Sequence, residues 1–241
     1  MEKRTQKCII LIQARTDSSR LPRKVLALIE GKPMLWHVIN RIKKMKCGQL
    51  VVVTTKRKMD DEIETIAKKT KVKCFRGEKN NVLDRFYQAS LKFKADVIIR
   101  ITADCPLIDP NESQKVLNTF LKGDYDYVSN DSETIPNGLD TECFSFHALK
   151  KVWKEAKLKS EKEHVTSYIL KNPKKFKIIM IHNKDKKKRN HLRWSVDYQK
   201  DLDFVRKIYS KLYTKRKLFT INDIFNLLKK ESSLIKINAR K

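Results

Sequence analysis

Four short apolar runs rich in β-branched residues alternate with segments of helical periodicity in the first part of the chain. The runs cover residues 8–12, 50–55, 72–75 and 97–101. Such runs are typical of strands buried on both faces, and their alternation with helices predicts a mostly parallel sheet covered by helices on both sides. With 241 residues and no low-complexity linker, we expect a single α/β domain over residues 1–241.

A basic, hydroxyl-rich loop follows the first apolar run. Its four cations within ten residues are Arg15, Arg20, Arg23 and Lys24. Open α/β sheets bind ligands at the carboxyl ends of their strands, and fixed guanidinium and ammonium groups there suit a polyphosphate. A solvated basic loop explains the composition equally well. Neither GxxxxGK[ST] nor GxGxxG occurs in the chain, so this is neither a Walker loop nor a dinucleotide fingerprint.

Asp104 follows the apolar run at 97–101 and precedes Pro106. This placement predicts a carboxylate at the carboxyl end of a strand, beside the basic loop. A carboxylate facing a triphosphate is repulsive unless a divalent cation lies between them, and Mg²⁺ prefers oxygen ligands. The alternative is that Asp104 caps the next helix, although Asp109 is better placed to do so.

Two carboxylates and a histidine form a second group of candidates. Asp140 and Glu142 alternate with their neighbours after the turn signal Asn137-Gly138, so both are expected on one face of an extended segment. A solvated strand edge explains this pattern as readily. His164 is a lone histidine, which is more often structural than catalytic.

The net charge of +27 and a pI near 9.9 raise nucleic acid as a possible partner. The lysines, however, are scattered around helical segments with few aromatic residues, and no homeodomain, zinc-finger or RNP pattern occurs. We therefore expect no specific nucleic-acid partner. Five cysteines without CxxC spacing indicate reduced thiols. No apolar run is long enough to span a membrane and no leader precedes the first run, so we expect a cytoplasmic protein without a membrane partner.

The string over residues 13–26, Gln-Ala-Arg-x-x-Ser-x-Arg-Leu-Pro-x-Lys-Val-Leu, resembles the signature loop of the cytidylyltransferases that make CMP-activated sugars. It is most similar to the spore-coat polysaccharide branch, which is related to the CMP-Kdo and CMP-sialate synthetases. RITADCPLID, PNGLDTE, EHVT and RWSVDYQKD resemble further motifs of that family. Ala103 stands where the Kdo and sialate synthetases commonly carry glycine.

The resemblance implies a three-layer α/β/α fold of the Rossmann-like nucleotide-diphospho-sugar transferase type. It also implies a homodimer, with residues 124–170 as an acceptor-side and dimerisation subregion. The expected reaction is transfer of CMP from CTP to a sugar acid or related acceptor, with release of pyrophosphate and dependence on Mg²⁺, in cell-surface glycan biosynthesis. The alternatives are another nucleotide such as UTP or GTP, a phosphonate or polyol-phosphate acceptor, or a basic nucleic-acid-binding protein.

Roles are carried over from the family residue by residue. The nucleotide-binding set is Gln13, Ala14, Arg15, Ser18, Arg20, Lys24, Arg85, Thr102 and Asp104. The catalytic set is Arg15, Lys24 and Asp104. The expected metal ligands are Asp104 and Asp197. The alternation of Arg193, Ser195 and Asp197 places Asp197 where a strand ends and a helix begins, and the alternative is that Asp197 caps that helix. The acceptor-binding set is Asp140, Glu142 and His164.

Overall fold

The structure is a computed structural model, and it describes residues 6–183, 187–213 and 218–239. Its strands are β1 (Cys8–Gln13), β2 (Leu28–Ile29), β3 (Lys32–Pro33), β4 (Gln49–Thr55), β5 (Lys73–Gly77), β6 (Val97–Thr102), β7 (Tyr127–Asn130), β8 (Glu142–Ser145) and β9 (Ile178–Ile181). Its α-helices are α1 (Met34–Ile42), α2 (Asp61–Lys69), α3 (Val82–Lys92), α4 (Pro110–Lys122), α5 (Phe146–Glu155), α6 (Lys159–Glu163), α7 (Ser167–Lys171), α8 (Gln199–Leu212) and α9 (Ile221–Lys230).

A seven-stranded sheet in the order β5-β4-β1-β6-β8-β7-β9 forms the centre of the molecule. All neighbouring strands are parallel except β8, which runs antiparallel to both β6 and β7. The predicted mostly parallel sheet is therefore confirmed. β1 lies between β4 and β6, so the loop after it opens at the middle of the carboxyl edge.

The central strands are buried on both faces, and their side chains alternate between two apolar clusters. Ile10 and Ile12 of β1 belong to the cluster under α1, α2 and α4. Ile9 and Leu11 belong to the cluster under α3, α5 and α7. Because a strand points successive side chains to opposite faces, this division produces the three layers that the resemblance implied.

A third apolar cluster lies beyond the carboxyl edge of the sheet, where α8 and α9 pack. Trp194, Val196, Phe204 and Ile224 belong to it, together with Leu107, which follows Asp104 by three residues. The C-terminal helices are thus packed directly against the segments that follow the central strands. Among the described residues, no helix has the length and apolar character needed to cross a bilayer.

One local expectation is wrong. The segment leading to Asp197 is not a strand: Arg193 makes a single bridge with Asn137, and the N–H of Val196 donates to the carbonyl of Asp104 at 2.8 Å. The segment therefore crosses the ends of the strands instead of extending one. Asp140 lies outside β8, and its carboxylate accepts a hydrogen bond from the N–H of Gly138 at 2.9 Å in the preceding turn.

Candidate active site

A cleft of about 350 Å³ opens at the carboxyl ends of β1 and β6. Gln13 and Thr102, the last residues of these strands, are register partners at its floor. Its lining is completed by Arg15, Ser18, Ser19, Arg20, Lys24, Val25, Ala103, Asp104, Glu163, His164 and Asp197. A larger cavity of about 540 Å³, between residues 190–194 and the C-terminal helices, is lined by none of the predicted site residues. Three predicted cations and both predicted metal ligands therefore converge on the smaller cleft, namely Arg15, Arg20, Lys24, Asp104 and Asp197.

A buried carboxylate holds the basic loop in shape. Asp60 is 1% exposed, and its Oδ1 accepts hydrogen bonds from the N–H of Thr16 at 2.9 Å and from the Thr16 hydroxyl at 2.7 Å. The hydroxyl of Thr55, at the end of β4, donates to the other oxygen of Asp60. The N–H of Arg23 then closes the loop onto the Thr16 carbonyl at 2.8 Å. The anchor joins residues more than 40 positions apart, so local sequence reasoning did not identify it.

Lys24 joins the two aspartates that were predicted to bind a metal. Its Nζ donates to Asp104 Oδ2 at 2.7 Å, to Asp197 Oδ1 at 2.8 Å and to the carbonyl of Val196 at 2.7 Å. Burial alone would lower the pKa of Lys24, but the two carboxylates outweigh it and raise the pKa above its ordinary value. One ammonium thus brings together carboxylates that are about ninety residues apart in the chain.

Asp197 is surrounded by cations. Arg20 pairs with it at 2.7 Å, and the Arg193 guanidinium pairs with its other oxygen. Burial would raise the pKa of Asp197, but the hydrogen bonds from Lys24 and Arg20 lower it to about 2. Asp201, in the first turn of α8, accepts from the N–H of Asp197 at 3.0 Å. Arg193 and Asp201 were not predicted as site residues. Each lies four residues from Asp197, and this spacing is the sequence feature that could have indicated them.

Asp104 and Asp197 fit a magnesium site. Both offer carboxylate oxygens, the ligand type that Mg²⁺ prefers, and both contact the same Lys24 ammonium. Their side chains keep 29% and 16% of their surface exposed toward the cleft. No group of three or more His, Cys, Asp or Glu side chains suited to a metal occurs among residues 6–183, 187–213 and 218–239. Two carboxylates with ligand phosphates and water are a usual arrangement for Mg²⁺.

Arg15 spans the cleft from the basic loop to α6. Its guanidinium lies 3.5 Å from Asp17 and 3.6 Å from Glu163. Asp17 is also paired with Arg57 and Lys79, each at 3.0 Å. The ion pairs of Arg15 are partly exposed and longer than those of Lys24, so phosphate oxygens can replace these carboxylates at modest cost.

Arg85 and Ala14 are the predicted nucleotide-binding residues that do not line the cleft. Arg85 is 1% exposed on α3, and burial lowers its pKa to about 10. Its Nη2 donates to the carbonyl of Lys79 at 3.3 Å, while its Nε and Nη1 have no hydrogen-bond partner among the described residues. Ala14 is buried, and its N–H donates to the carbonyl of Val53 at 3.0 Å.

Of the three predicted acceptor-binding residues, one lines the cleft and two do not. His164 is exposed at the end of α6 and lines the cleft. Asp140 and Glu142 are not among the lining residues. Glu142 is paired with Arg100, accepts from the Tyr127 hydroxyl at 2.8 Å and accepts from the Thr166 hydroxyl at 2.6 Å. The alternative of a solvated strand edge is therefore wrong for Glu142.

Comparison with known proteins matches residues 9–230 to the model of the Cytidylyltransferase family. An uncharacterized protein of Methanocaldococcus jannaschii is 39% identical over 236 residues, covering 97% of this chain and 95% of that protein. The spore coat polysaccharide biosynthesis protein SpsF of Bacillus subtilis is 29% identical over 211 residues, 84% of this chain and 86% of SpsF. Among solved structures, a cytidylyltransferase of Leptospira borgpetersenii superposes with a TM-score of 0.91 at 31% identity, covering 98% of this chain and 99% of that one.

Proposed function

Because the chain belongs to the cytidylyltransferase family, whose members are CTP-dependent nucleotidyltransferases, we propose that it transfers CMP from CTP to a sugar acid or related acceptor and releases pyrophosphate. The observation that carries this proposal is the cleft in which Lys24 lies between Asp104 and Asp197. Arg15 and Arg20 line the same cleft. Such a set of exchangeable ion pairs is suited to a triphosphate.

The proposed chemistry needs positioning more than a covalent intermediate. The acceptor oxygen forms a bond to the α-phosphorus while the bond to the bridging oxygen breaks, and the electron pair leaves with pyrophosphate. Arg15 and Arg20 exchange their carboxylate partners for phosphate oxygens, and together with the Lys24 ammonium between Asp104 and Asp197 they offset the charge of the leaving group. The hydroxyls of Ser18 and Thr102 and the amide of Gln13 supply neutral hydrogen-bonding groups around the phosphates. Arg85 is buried and does not line the cleft, so its role in nucleotide binding is the least supported of the set.

Asp104 and Asp197 are the residues that would hold Mg²⁺ beside the phosphates. When bound, the ion supplies charge neutralisation and polarises a phosphoryl oxygen. The contribution of the chain is to keep the Asp197 carboxylate ionised, which its low pKa favours, and to hold it close to Asp104 through their shared contact with Lys24.

The acceptor is proposed to enter on the side where α6 closes the cleft. Glu163 and His164 line the cleft on that side, which supports direct contact of His164 with the acceptor and an acceptor-side role for the subregion 124–170. Asp140 and Glu142 do not line the cleft. The Bacillus subtilis relative is named for spore coat polysaccharide biosynthesis, which supports a role in cell-surface glycan biosynthesis. From the resemblance of its motifs we further propose a cytoplasmic homodimer, which light scattering would test against the monomer mass of 28.5 kDa.

The decisive experiment measures pyrophosphate release from CTP, UTP, GTP and ATP with Mg²⁺ and a panel of acidic sugars, polyol phosphates and phosphonates. Release that requires CTP and one acceptor supports the proposal and identifies the acceptor. Release that prefers UTP or GTP would contradict the assignment of the base. Absence of release together with no thermal protection by CTP would contradict the proposal, and steeply salt-dependent duplex binding would then favour the nucleic-acid alternative.

A further inference from the structure

Three residues from different strands form a buried chain of polar contacts beside the cleft. Arg100 of β6 is ion-paired with Glu142 of β8, and its Nη2 donates to Gln13 Oε1 of β1 at 3.3 Å. Only 18% of the Arg100 side chain and 14% of the Glu142 side chain are exposed. Gln13 lines the cleft, whereas Arg100 and Glu142 stand behind it.

This chain of contacts determines the polarity of the Gln13 side chain. A guanidinium group carries donors only, so the amide atom that faces Arg100 must be the oxygen. The NH₂ group of Gln13 is then left for the cleft. A free glutamine can present either end of its amide to a ligand, but Gln13 beside Arg100 presents a hydrogen-bond donor.

Glu142 keeps Arg100 in place. Its three partners are the Arg100 guanidinium and the hydroxyls of Tyr127 and Thr166. Burial would raise the pKa of Glu142 and lower that of Arg100, but their mutual attraction outweighs burial and shifts both in the opposite direction. Each partner of a buried ion pair depends on the other, because removing one leaves an uncompensated charge.

We propose that Arg100 and Glu142 are positioning residues that fix Gln13 as a hydrogen-bond donor toward an oxygen of bound CTP. The proposal rests on the proposed function of the cleft. The neighbours of Gln13 in the lining support CTP as the ligand, since Arg15 and Lys24 can only donate and the hydroxyls of Ser18 and Thr102 can also donate. These donors match the oxygen-rich triphosphate, while the carboxylates Asp104, Glu163 and Asp197 are also part of the lining.

The donor itself is tested by titrating the full chain calorimetrically with CTP and Mg²⁺. Gln13→Met keeps the length of the side chain and removes the donor. We expect roughly a tenfold rise in the Kd of CTP, as is typical for loss of a hydrogen bond to a charged group. Unchanged affinity in Gln13→Met, with wild type binding CTP, would overturn the inference and leave the proposed function intact. Failure of the wild type to bind CTP would instead contradict the proposed function.

The positioning role is tested by a double-mutant cycle. Glu142→Gln is expected to weaken CTP binding by no more than Gln13→Met, and to cause no further loss in the Gln13→Met background. A merely structural role would give independent losses that multiply, and that result would overturn the positioning role. Glu155→Gln, a change at an exposed ion pair with Lys175, is the matched control and should leave the Kd unchanged.

A second variant keeps the test valid if Glu142→Gln does not fold. Arg100→Lys retains a cation beside Glu142 but lacks the planar fork that reaches Glu142 and Gln13 together. We expect it to weaken CTP binding like Glu142→Gln, and again with no further loss when Gln13 is already Met. Full CTP affinity in Arg100→Lys would contradict the need for the fork.

Discussion

At the scale of single residues, the Lys24 ammonium is the central charge of the site. It is largely buried, and a buried ammonium is stable only when it is paired and hydrogen-bonded. Asp104, Asp197 and the Val196 carbonyl accept from its three N–H groups. The same ammonium keeps two carboxylates together that would otherwise repel each other.

Replacing Lys24 should strongly lower catalysis, because its ammonium lies at the proposed phosphate site. Lys24→Met keeps the aliphatic stem and removes the charge. We expect kcat/KM for pyrophosphate release to fall by about 10²–10³, roughly 2.7–4 kcal/mol of transition-state stabilisation by analogy with one lost oxyanion donor. Lys154→Met, on the exposed face of α5, is the matched control and should retain full activity. Activity of Lys24→Met within threefold of wild type would show that the ammonium does not contact the phosphates.

Asp197 makes stability depend on pH in a defined window. Its pKa is about 2 in the folded chain against an ordinary value of 3.8, so the folded state favours the ionised form. A lowered folded pKa contributes stability that is present above pH 4 and lost as pH falls from about 4 to 2. In Asp197→Asn this contribution is absent, so Tm should fall less steeply over that window than in wild type.

The control for this pH dependence is Asp203→Asn, on an exposed position of α8. Thermal unfolding is followed by circular dichroism at half-unit intervals of pH between 2 and 5. Parallel curves for wild type and Asp197→Asn would contradict the assigned pKa.

At the scale of elements, the basic loop is shaped from outside itself. Asp60, which precedes α2, accepts from both the N–H and the hydroxyl of Thr16, while Thr55 at the end of β4 supplies a further donor. The sheet and the start of α2 therefore hold the cations of the loop in position. A mobile loop with the same composition would lose more entropy on binding a ligand.

Thr16→Val tests this anchor with an almost isosteric change. It removes one hydroxyl donor and leaves an oxygen of the buried Asp60 carboxylate short of a partner. We expect the free energy of unfolding to drop by about 1–3 kcal/mol and CTP affinity to fall with it. Denaturant titration and calorimetry measure the two effects. Thr65→Val, at an exposed position of α2, is the control, and a Thr16→Val variant as stable as wild type would refute the anchor.

At the scale of the whole molecule, the C-terminal helices are part of the main fold. The third apolar cluster joins α8 and α9 to Ile29, Met34, Leu107 and Leu139 from the first part of the chain. The hydroxyl of Tyr209 on α8 donates to the carbonyl of Pro106 at 2.7 Å, two residues after Asp104. The position of Asp104 therefore depends on helices that carry no motif of the site.

We expect this packing to produce a single cooperative unfolding transition. Calorimetry of the full chain should give a calorimetric enthalpy equal to the van't Hoff enthalpy. A chain ending at residue 198 should lose the transition, because it exposes the apolar surface that α8 and α9 cover. A separate transition at low temperature, missing from the shortened chain, would instead indicate that the helices form an independent unit.

Local sequence features determined the framework of this protein. Apolar runs and helical periodicity predicted β1, β4 and β6 and the parallel order around them, because burial on both faces imposes a recognisable composition on short segments. The motif strings identified the basic loop and Asp104, which follow central strands, and Asp197, whose segment crosses the ends of those strands.

The tertiary structure alone decided how these side chains are connected. The contacts of Lys24 with Asp104 and Asp197 join positions 80 and 173 residues away. The segment before Asp197 looks like a strand by alternation, but its backbone N–H groups bond to Asn137 and Asp104 across the strand ends. Glu142 carries the pattern of an exposed edge, yet antiparallel β8 buries it against Arg100. Periodicity indicates only which face of its own element a residue occupies. The partner of a buried charge depends instead on contacts between distant segments.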